Sequence, residues 1–295
     1  MEIKLQPGKY VVAVSGGVDS VALLDMLAQR SDLELVVAHF DHGIRSDSTE
    51  DAALVCSLAK QYGLQCKMER AELGMGASEA MAREARYQFL HRVQRQTEAD
   101  AIVTAHHQDD VLETAIFNML RGTGRRGLTS LQSTKQIKRP LIGVPKEEIK
   151  AYAVQRKLSW REDSTNRDER YARNYIRHRL LVKFDARARQ QLLATIAKAQ
   201  LVNDELDVLL NELLMKNMHG AALDRNWFIR LSHADAREVL AAWLRQQNLA
   251  DFDRQTLERL TVQAKVKPVG KRLDVLHNHQ ITLTKQGLAL AASKR

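Results

Sequence analysis

The hexapeptide Ser15-Gly16-Gly17-Val18-Asp19-Ser20 joins two stretches of different pattern. Before it runs Tyr10-Val11-Val12-Ala13-Val14, a continuous apolar segment of β type. After it, Val18, Val21, Ala22, Leu24, Leu27 and Ala28 recur at helical spacing. A strand that turns through two glycines into a helix start is built to receive an anion. The first N–H groups of a helix lack internal partners, its dipole favours negative charge there, and glycine lets the backbone come close. Ser15 and Ser20 add hydroxyl donors. Asp19 suits bare phosphate poorly, but suits it well if it holds a Mg²⁺ ion that itself carries phosphate oxygens. The spacing is not that of a Walker A loop, and the three spaced glycines of the dinucleotide fingerprint are absent too.

The chain has 295 residues, 44% of them hydrophobic and 27% charged, enough for one large soluble domain and a smaller one. No apolar run is long enough for a membrane helix, and the N-terminal residues before the first strand are too few and too polar for a signal peptide. Cys56 and Cys66 are the two cysteines and lack C-x-x-C spacing, which argues against a disulfide scaffold or a zinc knuckle and for a cytoplasmic protein with free thiols. Lys and Arg exceed Asp and Glu by nine, a balance that suits a polyanionic partner such as nucleic acid when the charge is clustered.

The elements alternate. Residues 33–40 read as a second strand ending in the polar loop 41–45, so strand, helix, strand form a right-handed unit on a parallel sheet. Ligands lie beyond the carboxyl ends of such strands, which puts the loop after Val14 and the loop after Phe40 on one rim. A helix over 48–62, a weaker strand over 65–69 and a Ser78-capped helix to about 96 follow, the last carrying Arg83, Arg86 and Tyr87. Residues 101–105 form a fourth strand, and His106-His107-Gln108-Asp109-Asp110 leads into a helix over 111–121. Glu113 lies four residues past Asp109 and three past Asp110, so three carboxylates share a helix side. Acids gathered at a strand's carboxyl end call for a cation or for work on a substrate.

Arg121-Gly122-Thr123-Gly124-Arg125-Arg126-Gly127 reads as a flexible cationic loop for oxyanions. Pro145 suits the first position of a helix over 146–157. Beyond the polar run 163–166, Arg170, Arg173 and Arg177 fall on one helical stripe, a phosphate-backbone pattern. From about residue 185 the character changes to a long Leu-rich helix over 186–217, helices at roughly 233–247 and 253–264, and a hairpin from 270–276 and 280–284. The fold is therefore read as α/β, a doubly wound and mostly parallel sheet of Rossmann-like type over 1–185, followed by a mainly helical domain over 186–295 that ends in a small hairpin.

In order along the chain, the Ser15 loop, the 39–45 loop, 79–87, 106–114, 121–128, 139–141 and 163–177 resemble the tRNA(Ile)-lysidine synthetases, members of the N-type ATP pyrophosphatases with a pyrophosphate loop. The likeness is specific over about the first 180 residues. Larger members carry a further C-terminal domain, so this chain reads as a short form or as lacking that piece. The resemblance implies ATP and Mg²⁺, free L-lysine, and a tRNA(Ile) with a CAU anticodon. ATP would adenylate the C2 carbonyl of the wobble cytidine, and the lysine ε-amine would then displace AMP. By the same resemblance, Ser15, Gly16, Gly17, Val18, Asp19 and Ser20 would hold ATP, with Asp19 on the metal. Asp109 or Asp110 would meet the lysine amine beside His106, His107 and Glu113. Arg83, Arg121, Arg125, Arg126, Arg173 and Arg177 would contact ATP phosphate or tRNA. Three alternatives compete: a tRNA thiolase of the same fold, which needs sulfur-carrying cysteines; a small-molecule ATP pyrophosphatase or amide-forming synthetase, which needs no basic surface; and a nucleotide-binding regulator, against which the acid cluster argues.

Overall fold

Apolar runs with polar residues only at their ends make strands buried on both faces, and strand β1 (Gly8–Ala13) is one of these. The computed structural model describes residues 3–43, 48–71, 78–161, 172–249, 252–276 and 279–292. The features expected at Gly74, Gly76, 163–166 and Arg170 lie outside the described residues. The chain divides into two units, Met1–Phe117 with Ser130–Leu193, and Asn118–Thr129 with Ala194–Arg295.

In the first unit β1 lies at the centre of a five-stranded parallel sheet. Strand β2 (Leu33–Asp41) pairs on one side of it, with Val12 opposite Val37, and β3 (Gln65–Arg70) lies beyond. Strand β4 (Ala101–Val103) pairs on the other side, with Val12 opposite Val103, and β5 (Ile137–Lys138) is the far edge. The order is β3-β2-β1-β4-β5. The winding reverses between β1 and β4, and the crevice beyond their carboxyl ends is where such sheets place ligands. One face is covered by α1 (Val18–Ala28), α2 (Ser48–Gln61) and α6 (Lys146–Gln155), which bury Leu24, Val55, Leu58, Ile149 and Ala153 against Val12 and Val37. The other is covered by α3 (Glu79–Thr97), through Phe89, Leu90 and Val93 on Val11, Val36 and Ile102. Helix α1 is buried from Ser20 to Leu27, so its one buried acid needs partners. Asp25 finds them in the hydroxyls of Tyr62 and Tyr152, at 2.7 and 2.5 Å, the Gln29 amide and the Arg156 guanidinium.

Three local features differ from the sequence reading. Helix α4 (Gln108–Leu120) starts three residues earlier than its apolar spacing suggests, because Asp110 reaches back to the His107 N–H and caps it. Pro145 is not the first helical residue; it is the extended N-cap of α6, with ψ 145°. After α7 (Ala172–Tyr175) the chain takes a π turn over Ile176–Leu180 and a 3-10 turn over Leu181–Lys183, so Arg173 and Arg177 do not follow one regular helical stripe.

The second unit is mainly helical, with α5 (Arg125–Leu128), most of α8 (Ala186–Lys216), α9 (Arg225–Arg230), α10 (His233–Gln246) and α11 (Arg254–Val266). Trp243, Phe228, Leu240 and Leu260 form its buried centre. The terminal hairpin belongs to a larger antiparallel sheet. Strands β6 (Met218–His219), β7 (Ala222–Leu223), β8 (Arg272–Asp274), β9 (His279–Leu283) and β10 (Leu288–Ala292) lie in the order β6-β7-β10-β9-β8. No helix among the described residues is long and apolar enough to cross a membrane.

Candidate active site

The turn after β1 is held open by its own side chains. Gly16 has φ +93°, a conformation that a Cβ would strain. Its carbonyl accepts the Arg161 N–H at 3.0 Å, and Arg161 Nε in turn pairs with the buried Asp51 at 2.7 Å. Ser20 is buried. Its hydroxyl donates to the Gly17 carbonyl at 2.9 Å and accepts the Ser15 N–H at 3.1 Å. Ser20 therefore fixes the shape of the turn, while Ser15, exposed, is the hydroxyl that faces out. Gly17 is the N-cap of α1 and contributes no side-chain cap, and Val18 follows as the first helical residue, so the helix start keeps unpaired amide capacity for an anion.

Asp19 sits in the first turn of α1. Its Oδ2 is 3.3 Å from Lys146 Nζ and 3.5 Å from His107 Nε2, whereas Oδ1 is buried with no hydrogen-bond partner. Burial pushes this carboxyl up, but His107 and Lys146 outweigh it and hold it below the usual carboxylate range. His107 is 2% exposed and lies among acids. Nε2 is also 3.5 Å from Asp110 Oδ2, and Nδ1 is 3.9 Å from Asp109 Oδ2. Burial lowers the imidazole, yet Asp19 and Asp110 raise it further, so it titrates above its ordinary value.

The two aspartates of α4 differ in what they hold. Asp109 accepts the Lys146 N–H on Oδ2 at 3.1 Å and the Arg189 guanidinium on Oδ1 at 2.7 Å. Pro145 offers no side-chain cap, so Asp109 supplies one to α6 from across the sheet end. Burial raises the Asp109 carboxyl, but the Lys146 amide and Arg189 bring it below its ordinary value. Asp110 gives Oδ2 to the His107 N–H, and its Oδ1 stands 3.9 Å from Arg177. Glu113 is 1% exposed and makes a two-pronged pair with Arg177, at 2.6 and 2.9 Å. Burial keeps the Glu113 carboxyl raised despite that guanidinium. Arg173 donates to Thr114 Oγ1 at 3.2 Å and lies over the Phe117 ring. His106 turns the other way, with Nδ1 2.8 Å from Thr104 Oγ1; burial and nearby arginines hold it well below its ordinary value, so it is neutral at pH 7.

The structure thus gathers Asp19, His107, Asp109, Asp110, Glu113, Arg173 and Arg177 at the carboxyl ends of β1 and β4. Arg83 is exposed on α3, its guanidinium 4.9 Å from the Tyr87 ring centre. Arg121, Arg125 and Arg126 belong to the second unit. Residues 125–128 are a short helix, not part of a flexible loop, because Arg125 is fixed by Glu238, Asn203 and Asp207 at 2.8–3.0 Å and Arg126 also pairs with Asp207. Two members of the site carry no motif of their own in the sequence, Lys146 and Arg189. Lys146 could have been singled out as the first residue after a helix-starting proline; Arg189 gives no such signal.

The PP-loop domain model matches residues 2–184. The tRNA(Ile)-lysidine synthase of Solibacter usitatus is 40% identical over 192 residues, which cover 64% of this chain and 44% of that protein. The protein of the same name from Chromobacterium violaceum is 33% identical over 252 residues, 80% of this chain and 57% of its own length. The chain thus spans about half the length of these curated relatives. Among solved structures, the U34-tRNA thiolase NcsA of Methanococcus maripaludis superposes with a TM-score of 0.51 at 17% identity, over 66% of this chain and 73% of that one, a likeness of fold. With the glycine turn, the switch-point crevice and a match across 183 of 295 residues, the chain belongs to the PP-loop domain family of ATP-binding proteins.

Proposed function

We propose that this chain forms lysidine in a tRNA(Ile) with a CAU anticodon, using ATP and free L-lysine, in the cytoplasm. One observation carries the reading: relatives 31–42% identical to it share the name tRNA(Ile)-lysidine synthase, and this chain has PP-loop geometry. The wobble cytidine C2 oxygen attacks the α-phosphorus of ATP and pyrophosphate leaves. The lysine ε-amine then attacks C2, the C2–O bond breaks, and AMP departs with its electron pair.

The residues have work in both steps. The start of α1, with Gly16, Gly17 and Val18, cradles the outer phosphates, and Ser15 and Lys146 add donors as charge develops on the leaving pyrophosphate. Mg²⁺ fits Asp19. Its buried Oδ1 has no partner, and a carboxylate oxygen is the hard donor that such an ion takes beside substrate phosphates. That ion would neutralise phosphate charge. Lysine must attack as the neutral amine, so a carboxylate has to take its proton. Asp109 is committed to Lys146 and Arg189, whereas Asp110 keeps one oxygen outside hydrogen-bond range of Arg177. Asp110 is therefore the base, with Glu113 and Arg177 holding the α4 wall in place. Arg83, Arg121, Arg126 and Arg173 are the proposed RNA contacts.

The thiolase alternative gains nothing from the cysteines. Their sulfurs are 3.8 Å apart, but burial and the neighbouring Cys56 push the Cys66 thiol up to about 12, which makes it a poor nucleophile at pH 7. The test is incubation with ATP, Mg²⁺, radiolabelled lysine and a tRNA(Ile) transcript. Label enters that tRNA and not one with the wobble cytidine changed to uridine; label in both, or in neither, rejects the assignment.

A further inference from the structure

Beside the crevice, on the α3 face, lies a group of cations of which the reaction above uses only Arg83, as an RNA contact. His106 follows β4 and Arg139 follows β5, so both stand at carboxyl ends of neighbouring strands. Arg83, Arg86 and Tyr87 face them from α3. The Arg83 and Arg86 guanidinium carbons are 4.9 and 5.3 Å from the Tyr87 ring centre. Arg139 is only 6% exposed. Its Nη1 donates to the Gln132 carbonyl and its own N–H donates to Ser133 Oγ, which fixes the side chain from behind. Yet Arg139 Nε and Arg86 Nε are both buried with no hydrogen-bond partner, while the Tyr87 hydroxyl lies against both guanidiniums as their neutral neighbour.

Two buried guanidinium nitrogens in one cluster, both on cations, are costly if no anion answers them. Arg83, Arg86 and Arg139 act on one another, and the groups that act most strongly on Arg86 and Arg139 include no carboxylate. Burial is the largest cause and lowers both guanidiniums; Tyr87 acts against it and raises them, and the neighbouring arginines lower them further. The same three arginines help keep His106 neutral, so positive potential is concentrated there. Planar guanidiniums suit the oxygens of a tetrahedral anion, and a phosphate can offset more than the single charge a carboxylate brings.

We propose that Arg86, Arg139 and the Tyr87 hydroxyl, with Arg83 at the rim, form a binding site for one phosphate-type oxyanion. The anion is either a phosphate of the bound nucleotide or one from a second substrate. The site holds whether or not the chain modifies tRNA, because it rests on the unpaired donors alone.

The test is thermal melting of the full chain in low-salt buffer with inorganic phosphate, with and without saturating α,β-methylene-ATP to fill the glycine turn. Wild-type protein gains several degrees from the anion. Arg86→Gln and Arg139→Gln lose most of that gain. Without any anion Arg86→Gln melts no lower than wild type, since it removes a buried cation that has no carboxylate beside it; a purely structural arginine would instead lower the melting temperature in every buffer. If the Arg139 variant loses its fold along with the Gln132 contact, Arg86→Gln reads the result alone. Phosphate that adds to nucleotide-saturated wild type but not to Arg86→Gln assigns the anion to a second substrate. Phosphate that adds nothing, with nucleotide affinity about tenfold weaker in Arg86→Gln, assigns it to the nucleotide. Equal responses of wild type and both variants to phosphate and nucleotide overturn the proposal, as does stabilisation by L-lysine's carboxylate in place of phosphate.

Discussion

Replacing Asp109 by Asn separates a positioning acid from a catalytic one. Asp109 holds the first amide of α6 on one oxygen and Arg189 on the other. An asparagine can still give its carbonyl to the Lys146 N–H, but it meets Arg189 with an amide in place of a charge. A charge-assisted hydrogen bond contributes about 1.5–3 kcal/mol and a neutral one about 0.5–1.5, so Asp109→Asn costs roughly 1–2 kcal/mol. At the size of this chain that is a fall of about 2–3 °C in melting temperature. Burial raises the native Asp109 carboxyl, but the Lys146 amide and Arg189 outweigh it and depress it, so the stabilisation is present above the unfolded value of about 3.9 and disappears as pH falls through the folded one. The gap between wild type and variant is therefore constant from pH 5 to 8 and closes in acid. In activity, loosening Lys146 moves its ammonium away from Asp19, so turnover falls about tenfold with the pH profile unchanged. Removing a general base would instead cost about 10²–10⁴. The assays are melting curves at stepped pH and single-turnover lysine transfer. A variant that melts like wild type but loses 10³-fold or more in transfer refutes the positioning role.

Asp110→Asn lowers lysine transfer by about 10²–10⁴ while the adenylated tRNA still accumulates; loss of adenylation in equal measure would contradict the assignment of Asp110 to the amine. Asp19→Asn abolishes pyrophosphate release, and a fully active variant would remove Asp19 from the metal. The Cys56→Ser, Cys66→Ser double variant retains activity, and total loss would favour a sulfur-transfer enzyme. Asp25→Asn leaves the Arg156 contact to an amide and costs about 2–4 kcal/mol, read by melting at pH 7; an unchanged melting temperature would mean that the two tyrosines, not the charge, hold α1.

The first unit was legible because its signals are local. A two-glycine turn between an apolar strand and a helical repeat needs no knowledge of distant residues, and strands 10–14, 33–40 and 101–105 are each apolar enough to be buried on both faces. The acids at 109, 110 and 113 were legible as a group for the same reason, since helical spacing alone brings them together. Their division of labour was not. Asp109 is defined by Lys146, 37 residues away, and Arg189, 80 residues away. Arg125 and Arg126 read as free cations because Asp207 and Glu238 stand far along the chain. The π turn at Ile176–Leu180 hides from any count at 3.6 residues per turn. In the second unit the hairpin of β8 and β9 was legible, whereas β6 and β7 escaped because they have two residues each, too few for alternation to show.

On the proposed mechanism the turn at Gly16 and Gly17 grips the two outer phosphates while the inner one is transferred. Parallel reactions with ATP labelled at the α or at the γ phosphate, run with lysine and the tRNA and separated on thin layers, test it directly. The expected result is α label in AMP and γ label in pyrophosphate, both dependent on the tRNA. Label appearing in ADP and inorganic phosphate would contradict it.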